Sequence, residues 1–435
     1  MKIFNRLESN VRSYCRSFPT VFEKAQGSIL EDQEGIKYID FFSGAGTLNY
    51  GHNNPKLKEG LLDYINRDGI VHSLDMMSGA KQKFLETFES IILKPRQLKY
   101  KVQFPAPTGT NAVEAALKIV RNTTGRKNII AFSGGFHGVT LGSLAATANA
   151  YYREASGILT TGVNFMPYDG YLGSQVNTAE YLDQVLSDTS SGVNLPAAVI
   201  VETVQGEGGV NVASFAWLQA LEKVCRKHNV LLIIDDIQVG CGRTGSFFSF
   251  EEVGISPDIV LLSKSLSGYG LPFSLVLIRP ELDQWKPGQH NGTFRGNNLA
   301  FVTAKEAIEI YWQDTHFSDS VRDKGIILHT RLENIVKNNW EDIFSVRGRG
   351  MIQALDCQDG DLARKIMQKA FEKGLVIETA GRQGQVIKCL SALTISEQEL
   401  ALGLNILEDS INEIMHGKYS RKSGVGNLRY DIMSG

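Results

Sequence analysis

The stretch Leu231–Gly245, LLIIDDIQVGCGRTG, decides the reading of this chain, together with Ile259–Gly270, IVLLSKSLSGYG, that follows it. Each opens with an apolar run and then breaks into polar, glycine-rich sequence. A strand that is apolar throughout has no face for water, so it is covered on both sides, as in a mostly parallel sheet sandwiched by helices. In such sheets ligands sit beyond the carboxyl ends of the strands. Asp235 and Lys264 both stand at those ends. A carboxylate directly after a buried strand needs a partner, because an unpaired buried charge is costly. A lysine in the same setting has a partly desolvated amine with a lowered pKa, which makes it a usable nucleophile. The structural alternative is a lysine that snorkels to water. Gly240, Gly242 and Gly245 also satisfy the GxGxxG pattern. That motif opens a helix at the strand end. Here Ser246–Phe250 is aromatic-rich rather than helix-like, so a nicotinamide site is not expected.

The same alternation extends outward from about residue 100 to 280. Further apolar runs are Lys101–Phe104, Asn128–Phe132, Ala197–Val201 and Leu275–Ile278, with helical periods at Ala112–Arg121 and Trp217–Lys227. Phe104 is followed by PAPTGTNAVEAALK, a turn and then a helix beginning near Asn111. Backbone amides of Gly109 and Thr110 and the threonine hydroxyl at that helix start would cradle a phosphate. Simple N-capping by Thr108 or Thr110 is the alternative. Phe132 leads into Ser133-Gly134-Gly135-Phe136-His137-Gly138, where an aromatic pair framed by glycines would present a ring face to a planar ligand or anchor a loop. Val201 leads into Glu202-Thr203-Val204-Gln205-Gly206-Glu207, two carboxylates in a glycine-rich strand end.

The flanks differ. A hairpin is expected from Ser28–Leu30 and Lys37–Phe42, and a helix after Pro55. After a helix at Leu299–Tyr311, the Met351–Leu355 and Val386–Leu390 runs around a helix near Asp361–Glu372 read as a small α+β unit. The basic last ~20 residues read as a loose tail or a partner contact. The 435 residues suggest two domains, or one large domain with a smaller one. With 45 Lys+Arg against 47 Asp+Glu, the net charge of −2 gives no pull toward nucleic acid or anionic membrane. No apolar run approaches a membrane span, and MKIFNRLESN lacks the apolar core of a signal peptide. Five scattered cysteines without a CxxC pair argue against disulfides and a zinc ribbon. A reducing cytoplasm is the expectation, and no metal is expected.

A phosphate cradle, an aromatic platform, a buried carboxylate and a buried lysine at strand ends match the needs of pyridoxal phosphate: an amine for its aldehyde, an acid beside its ring nitrogen and a phosphate site. At this point the chain resembles the class III (ω-) aminotransferases of fold type I, from about Pro19 to Ile395. The most specific part is Leu231–Gly245 with Ser263-Lys264, the lysine following the acid 29 positions on, from 235 to 264. The resemblance implies an α/β fold with a large domain (56–305) around a seven-stranded, mostly parallel sheet. It also implies a small α+β domain built from the N-terminal (1–55) and C-terminal (306–435) parts. It implies Lys264 as the lysine that binds the coenzyme, Asp235 as the partner of the ring nitrogen, Gln238 on the ring hydroxyl, Phe136 with His137 at the ring, and Gly109 and Thr110 at the phosphate. Thr293 is implied to reach the phosphate of a second subunit, hence a homodimer with shared active sites. Glu202, Glu207, Lys388 and Ala45 are implied near the substrate, with Glu207 able to gate it.

Two departures stand out. Asp235-Asp236 replaces the family's common Asp-Glu. Lys388 stands where many relatives have an arginine for the substrate α-carboxylate, and offers a point charge instead of a fork. The segments Phe42–Pro55 (FSGAGTLNYGHNNP), Phe104–Arg121, Ser263–Pro272 (SKSLSGYGLP) and Leu282–Leu299, ending in GTFRGNNL, resemble most the branch that makes L-2,4-diaminobutyrate and 2-oxoglutarate from L-aspartate 4-semialdehyde and L-glutamate, as in ectoine synthesis. Another ω-amino-acid aminotransferase or an aminomutase on the same scaffold stays open, as does a non-catalytic binder.

Overall fold

The computed structural model describes residues 2–158, 160–337 and 340–432, of 418–432 the backbone only. The side chains of the basic tail thus lie largely outside the described residues. The central sheet has seven strands in the spatial order Lys101–Gln103, Leu275–Ile278, Ile259–Leu262, Leu231–Asp235, Ala198–Val201, Ile129–Phe132, Val163–Met166. Leu275–Ile278 runs antiparallel to both its neighbours, and the other pairs are parallel. Of the inner strands four are buried along their whole length, and Leu231–Asp235 is buried from its second residue on, as their apolar runs require.

Alternate strand residues feed two cores. Ile129, Ala131, Ile200, Ile233 and Leu261 meet the Gly109–Thr124 helix through Ala112, Ala116, Ile119 and Val120. Ile130, Phe132, Val201, Ile234 and Leu262 meet Trp217, Leu218 and Leu221 of the Phe215–Lys227 helix. That helix begins at Ser214, whose side chain accepts the amide of Trp217. The expected helix near Asn111 starts two residues earlier, because Asn111 turns back to accept from the amide and hydroxyl of Thr108 (3.3 and 2.6 Å) and closes the first turn.

A third core joins the two ends of the chain. The expected hairpin forms as Ile29–Asp32 and Lys37–Asp40, extended on one side by Phe22–Gln26. On its other side Leu375–Val376 pairs in parallel with Ile39 and Asp40. Ile39 and Phe41 share a core with Leu328, Leu355, Ile387, Leu400 and Leu404. A second four-stranded sheet holds Ser345–Arg349, Ile352–Asp356, Val386–Cys389 and Glu378–Ala380 in that order. Among the described residues no helix is long and apolar enough to cross a membrane.

The glycines after the Leu231–Asp235 strand serve packing. Gly242 has φ +99°, and a Cβ there would lie 2.8 Å from Trp312. Arg243, wholly buried, donates to the carbonyls of Met351 (3.0 Å) and Ser391 (2.6 Å) and to Asn49 Oδ1 (2.6 Å). It ties together three distant parts of the chain without a carboxylate. Arg243→Ala is expected to destabilise the protein by about 3 kcal/mol or more, since it strands buried acceptors and opens a cavity. Denaturant unfolding checks this, and a change below about 0.5 kcal/mol, the size of a neutral surface substitution, would contradict it.

Candidate active site

The carboxyl ends of the central strands converge on a cavity of about 260 Å³ lined by Thr108, Gly109, Thr110, Phe136, His137, Glu202, Glu207, Asp235, Gln238 and Lys264, among others. Nearly every residue expected to hold a coenzyme is thus brought together, from segments up to 156 positions apart in sequence (108 to 264).

Asp235 ends its strand 4% exposed and accepts from the Ile237 amide at 3.2 Å. Its other oxygen lies 2.7 Å from Nδ1 of buried His137. Burial works against a charge on His137, but the hydrogen bond and charge of Asp235 outweigh it and leave the imidazole pKa raised. Asp235 therefore has the partner that its position demanded. Asp236 points elsewhere: it accepts from the Ser249 amide at 3.0 Å, and burial pushes its pKa up to about 7.

Lys264 follows the Ile259–Leu262 strand with φ +49°, a left-handed conformation that a non-glycine residue adopts only where its surroundings enforce it. The enforcement is visible. Ser263 Oγ donates to Phe273 O at 2.7 Å, and Thr303 Oγ1 closes the turn onto Ser267 O at 2.6 Å. The Lys264 amine has no hydrogen bond or ion pair among the described residues. Burial lowers its pKa, with Lys388 adding to the effect and Glu207 opposing it.

The phosphate cradle is the start of the Gly109–Thr124 helix, where the amides of Gly109 and Thr110 have no partner within the helix and that of Asn111 is capped by Thr108. A Cβ at Gly109 would press on Ile237 at 3.0 Å. The Thr110 hydroxyl meets those of Thr140 (2.7 Å) and Ser143 (2.5 Å), which steady the loop. Phe136 lines the cavity wall, with Tyr152 edge-on at 5.4 Å. Gln238 donates to Ala45 O (3.1 Å) and Glu207 Oε1 (3.0 Å), while its own Oε1 is buried with no partner among the described residues. That orphaned acceptor asks for a donor from the cavity.

A second, larger cavity of about 1090 Å³ adjoins the first through Phe136 and Glu207. Lys388 is fully buried and lines neither cavity. Its ammonium lies 2.7 Å from Glu207 Oε1 and 3.0 Å from Glu378 Oε1. Burial opposes ionisation of Glu207, but Lys388 and Lys264 outweigh it and bring its pKa down to about 2. Glu202 sits in the smaller cavity, accepts from the Phe136 amide at 3.1 Å, and is pushed up to about 8 by burial. Ala45 has φ +57° and reaches the site through its carbonyl. Thr293 is exposed and lines neither cavity of its own chain. Sequence reading missed Glu378. The available signal was a lone acid in the apolar stretch Leu375–Ala380, separated by the glycine-containing Gly381–Gln385 from the lone lysine of Val386–Leu390.

The profile of the family described as "Aminotransferase class-III" matches residues 12–411. This chain belongs to that family. It is 59% identical to a diaminobutyrate–2-oxoglutarate transaminase of Bordetella parapertussis, over 95% of this chain and 96% of that protein. It is 58% identical to the protein of the same name from Halomonas elongata, over 95% and 99%. An ornithine aminotransferase structure from Toxoplasma gondii superposes with a TM-score of 0.84 at 27% identity, covering 96% of this chain and 94% of that one. That structure is described with partial occupancy of pyridoxal phosphate at its active site. Class III aminotransferases depend on this coenzyme, and the residues present fit it: an unpaired amine, a carboxylate held at a strand end, a helix start without side-chain bulk and an orphaned acceptor.

The Asp235–His137 pair yields a direct check. With Asp235→Asn, burial dominates at His137, so its pKa is expected to fall below the ordinary histidine value in coenzyme-free protein. Imidazole chemical shifts followed against pH report it, and an unchanged titration would contradict the pairing.

Proposed function

We propose that this protein is a pyridoxal phosphate-dependent transaminase that moves an amino group from L-glutamate to L-aspartate 4-semialdehyde, giving 2-oxoglutarate and L-2,4-diaminobutyrate. The observation that carries this reading is the unpartnered Lys264 amine in a cavity that also holds Asp235, Gln238 and the Gly109–Thr110 helix start. The names of the relatives, at 58–59% identity over almost the whole chain, supply the substrate pair.

In this reading Lys264 holds the coenzyme aldehyde, Asp235 faces the ring nitrogen, Gln238 the ring hydroxyl, and Phe136 the ring. The amides of Gly109 and Thr110 take the phosphate, joined by Thr293 of a second copy in a homodimer. When bound, the coenzyme supplies a carbonyl that accepts an amino group and a protonated ring that draws electrons from the adjacent carbon. Asp235, fixed by His137 and the Ile237 amide, keeps a proton at that ring nitrogen. Once the substrate amine has taken its place on the coenzyme aldehyde, the freed Lys264 Nζ, neutral more readily because of its burial, would take the proton from the substrate carbon and deliver it to the carbonyl carbon of the coenzyme. The raised pKa of Glu202 places an uncharged carboxyl beside the ring and keeps a second negative charge away from Asp235. Glu207 leaves Lys388 when a substrate carboxylate arrives beside the reacting carbon, and stays when the reacting carbon carries none.

Purified protein loaded with pyridoxal phosphate is expected to convert L-2,4-diaminobutyrate and 2-oxoglutarate to L-glutamate and the semialdehyde, identified by mass. Ornithine or 4-aminobutyrate turning over faster would contradict the assigned substrate. Lys264→Ala is expected to lose at least about a thousandfold in kcat, since it removes both the anchor and the base. Wild-type turnover in that variant would remove Lys264 from the mechanism.

A further inference from the structure

The Lys388 ammonium is buried between two carboxylates that differ in how they are held. Glu378 and Lys388 are directly opposed residues of adjacent antiparallel strands, so the sheet register fixes this pair. Glu378 is 5% exposed and lines neither cavity. Glu207 is on the glycine-flanked loop Gly206-Glu207-Gly208-Gly209 and lines both cavities; its carbonyl accepts from the Gly381 amide at 3.0 Å, and among the described residues its carboxylate is held besides Lys388 by Gln238. One carboxylate is therefore fixed by strand register, and the other is held by side chains with open cavity beside it.

A lysine with a single mobile partner faces two difficulties during exchange. Its flexible four-carbon stem lets the ammonium follow the departing acid. If it stays, it is for that moment a buried cation without a counter-charge, which is strongly unfavourable. An arginine fork is stiffer and is better placed to hold its position. We propose that Glu378 is a positioning residue: it holds Lys388 in place and charge-compensated while Glu207 leaves, so that one pocket accepts in turn a carbon bearing a carboxylate and a carbon bearing none. Exchange then replaces one carboxylate by another on an ammonium that already has a fixed partner, and the buried charge is the same before and after.

Other groups face Glu378. Besides Lys388 and Glu207, the charge of Lys264 acts on it, and the hydroxyls of Tyr14 and Tyr152 are near enough to sense it. Burial pushes Glu378 up to about 7, against the pull of Lys388. None of these groups other than Lys388 is held to Glu378 by strand register.

This proposal rests on the function assigned above, and the two are separable. Coenzyme-loaded wild type, Glu378→Gln and Glu378→Ala are mixed in stopped flow with L-glutamate or with L-2,4-diaminobutyrate, each half-reaction followed by coenzyme absorbance. Calorimetry measures glutarate binding as a non-reacting dicarboxylate, and thermal unfolding serves as the fold control. Glu378→Ala is expected to raise the half-saturating L-glutamate concentration and the glutarate Kd by at least about tenfold. Diaminobutyrate kinetics should stay within about twofold, with Glu378→Gln intermediate because its amide oxygen keeps a partial negative charge beside the ammonium. Equal losses for both substrates, no loss, or tighter glutamate binding would overturn the role of Glu378 alone. A wild type that runs neither half-reaction would overturn the functional reading, and this proposal with it.

Discussion

Two lysines and two glutamates sense one another's charge beside this cavity, and their pairing is unequal. Lys388 takes both acids, Glu207 and Glu378, and Lys264 takes none. The imbalance leaves one amine charged and structural, with its pKa raised by its partners, and the other desolvated, with its pKa lowered by burial and by the first. A lysine paired with Glu207 would be a strong, unreactive cation. The rest of the site depends on that amine staying unpaired: the left-handed turn that aims it, the aspartate across the cavity, and the helix start that sets the far end of a ligand.

The fold supplies this arrangement through distance in sequence. Lys264 and Asp235 come from neighbouring strands in parallel register, whereas Glu378 and Lys388, more than a hundred residues further along the chain, belong to a separate sheet. Arg243 and Asn49 tie these regions together behind the cavity.

Much of this was legible in the sequence. Five of the seven central strands are apolar runs, and the residues after most of them form the site. Lys101–Gln103 at one edge is short and partly polar and shows only as the start of the run to Phe104, while Val163–Met166 at the other carries Asn164, is only partly buried, and lacks such a run. Phe22–Gln26 is missed for a similar reason: it is an edge strand with charged, exposed residues. Glu378 was not found because its meaning comes from cross-strand register, which no single segment displays. Thr293 was named from family resemblance, and its exposed position in one chain gives it no contact with its own cavity.

The account centres on one nitrogen. Borohydride reduction of the protein loaded with pyridoxal phosphate, followed by peptide mass mapping, tests it most directly. The account predicts a single reduced coenzyme adduct on the peptide that contains Lys264. An adduct on Lys388 or on a surface lysine, with Lys264 unmodified, would contradict it.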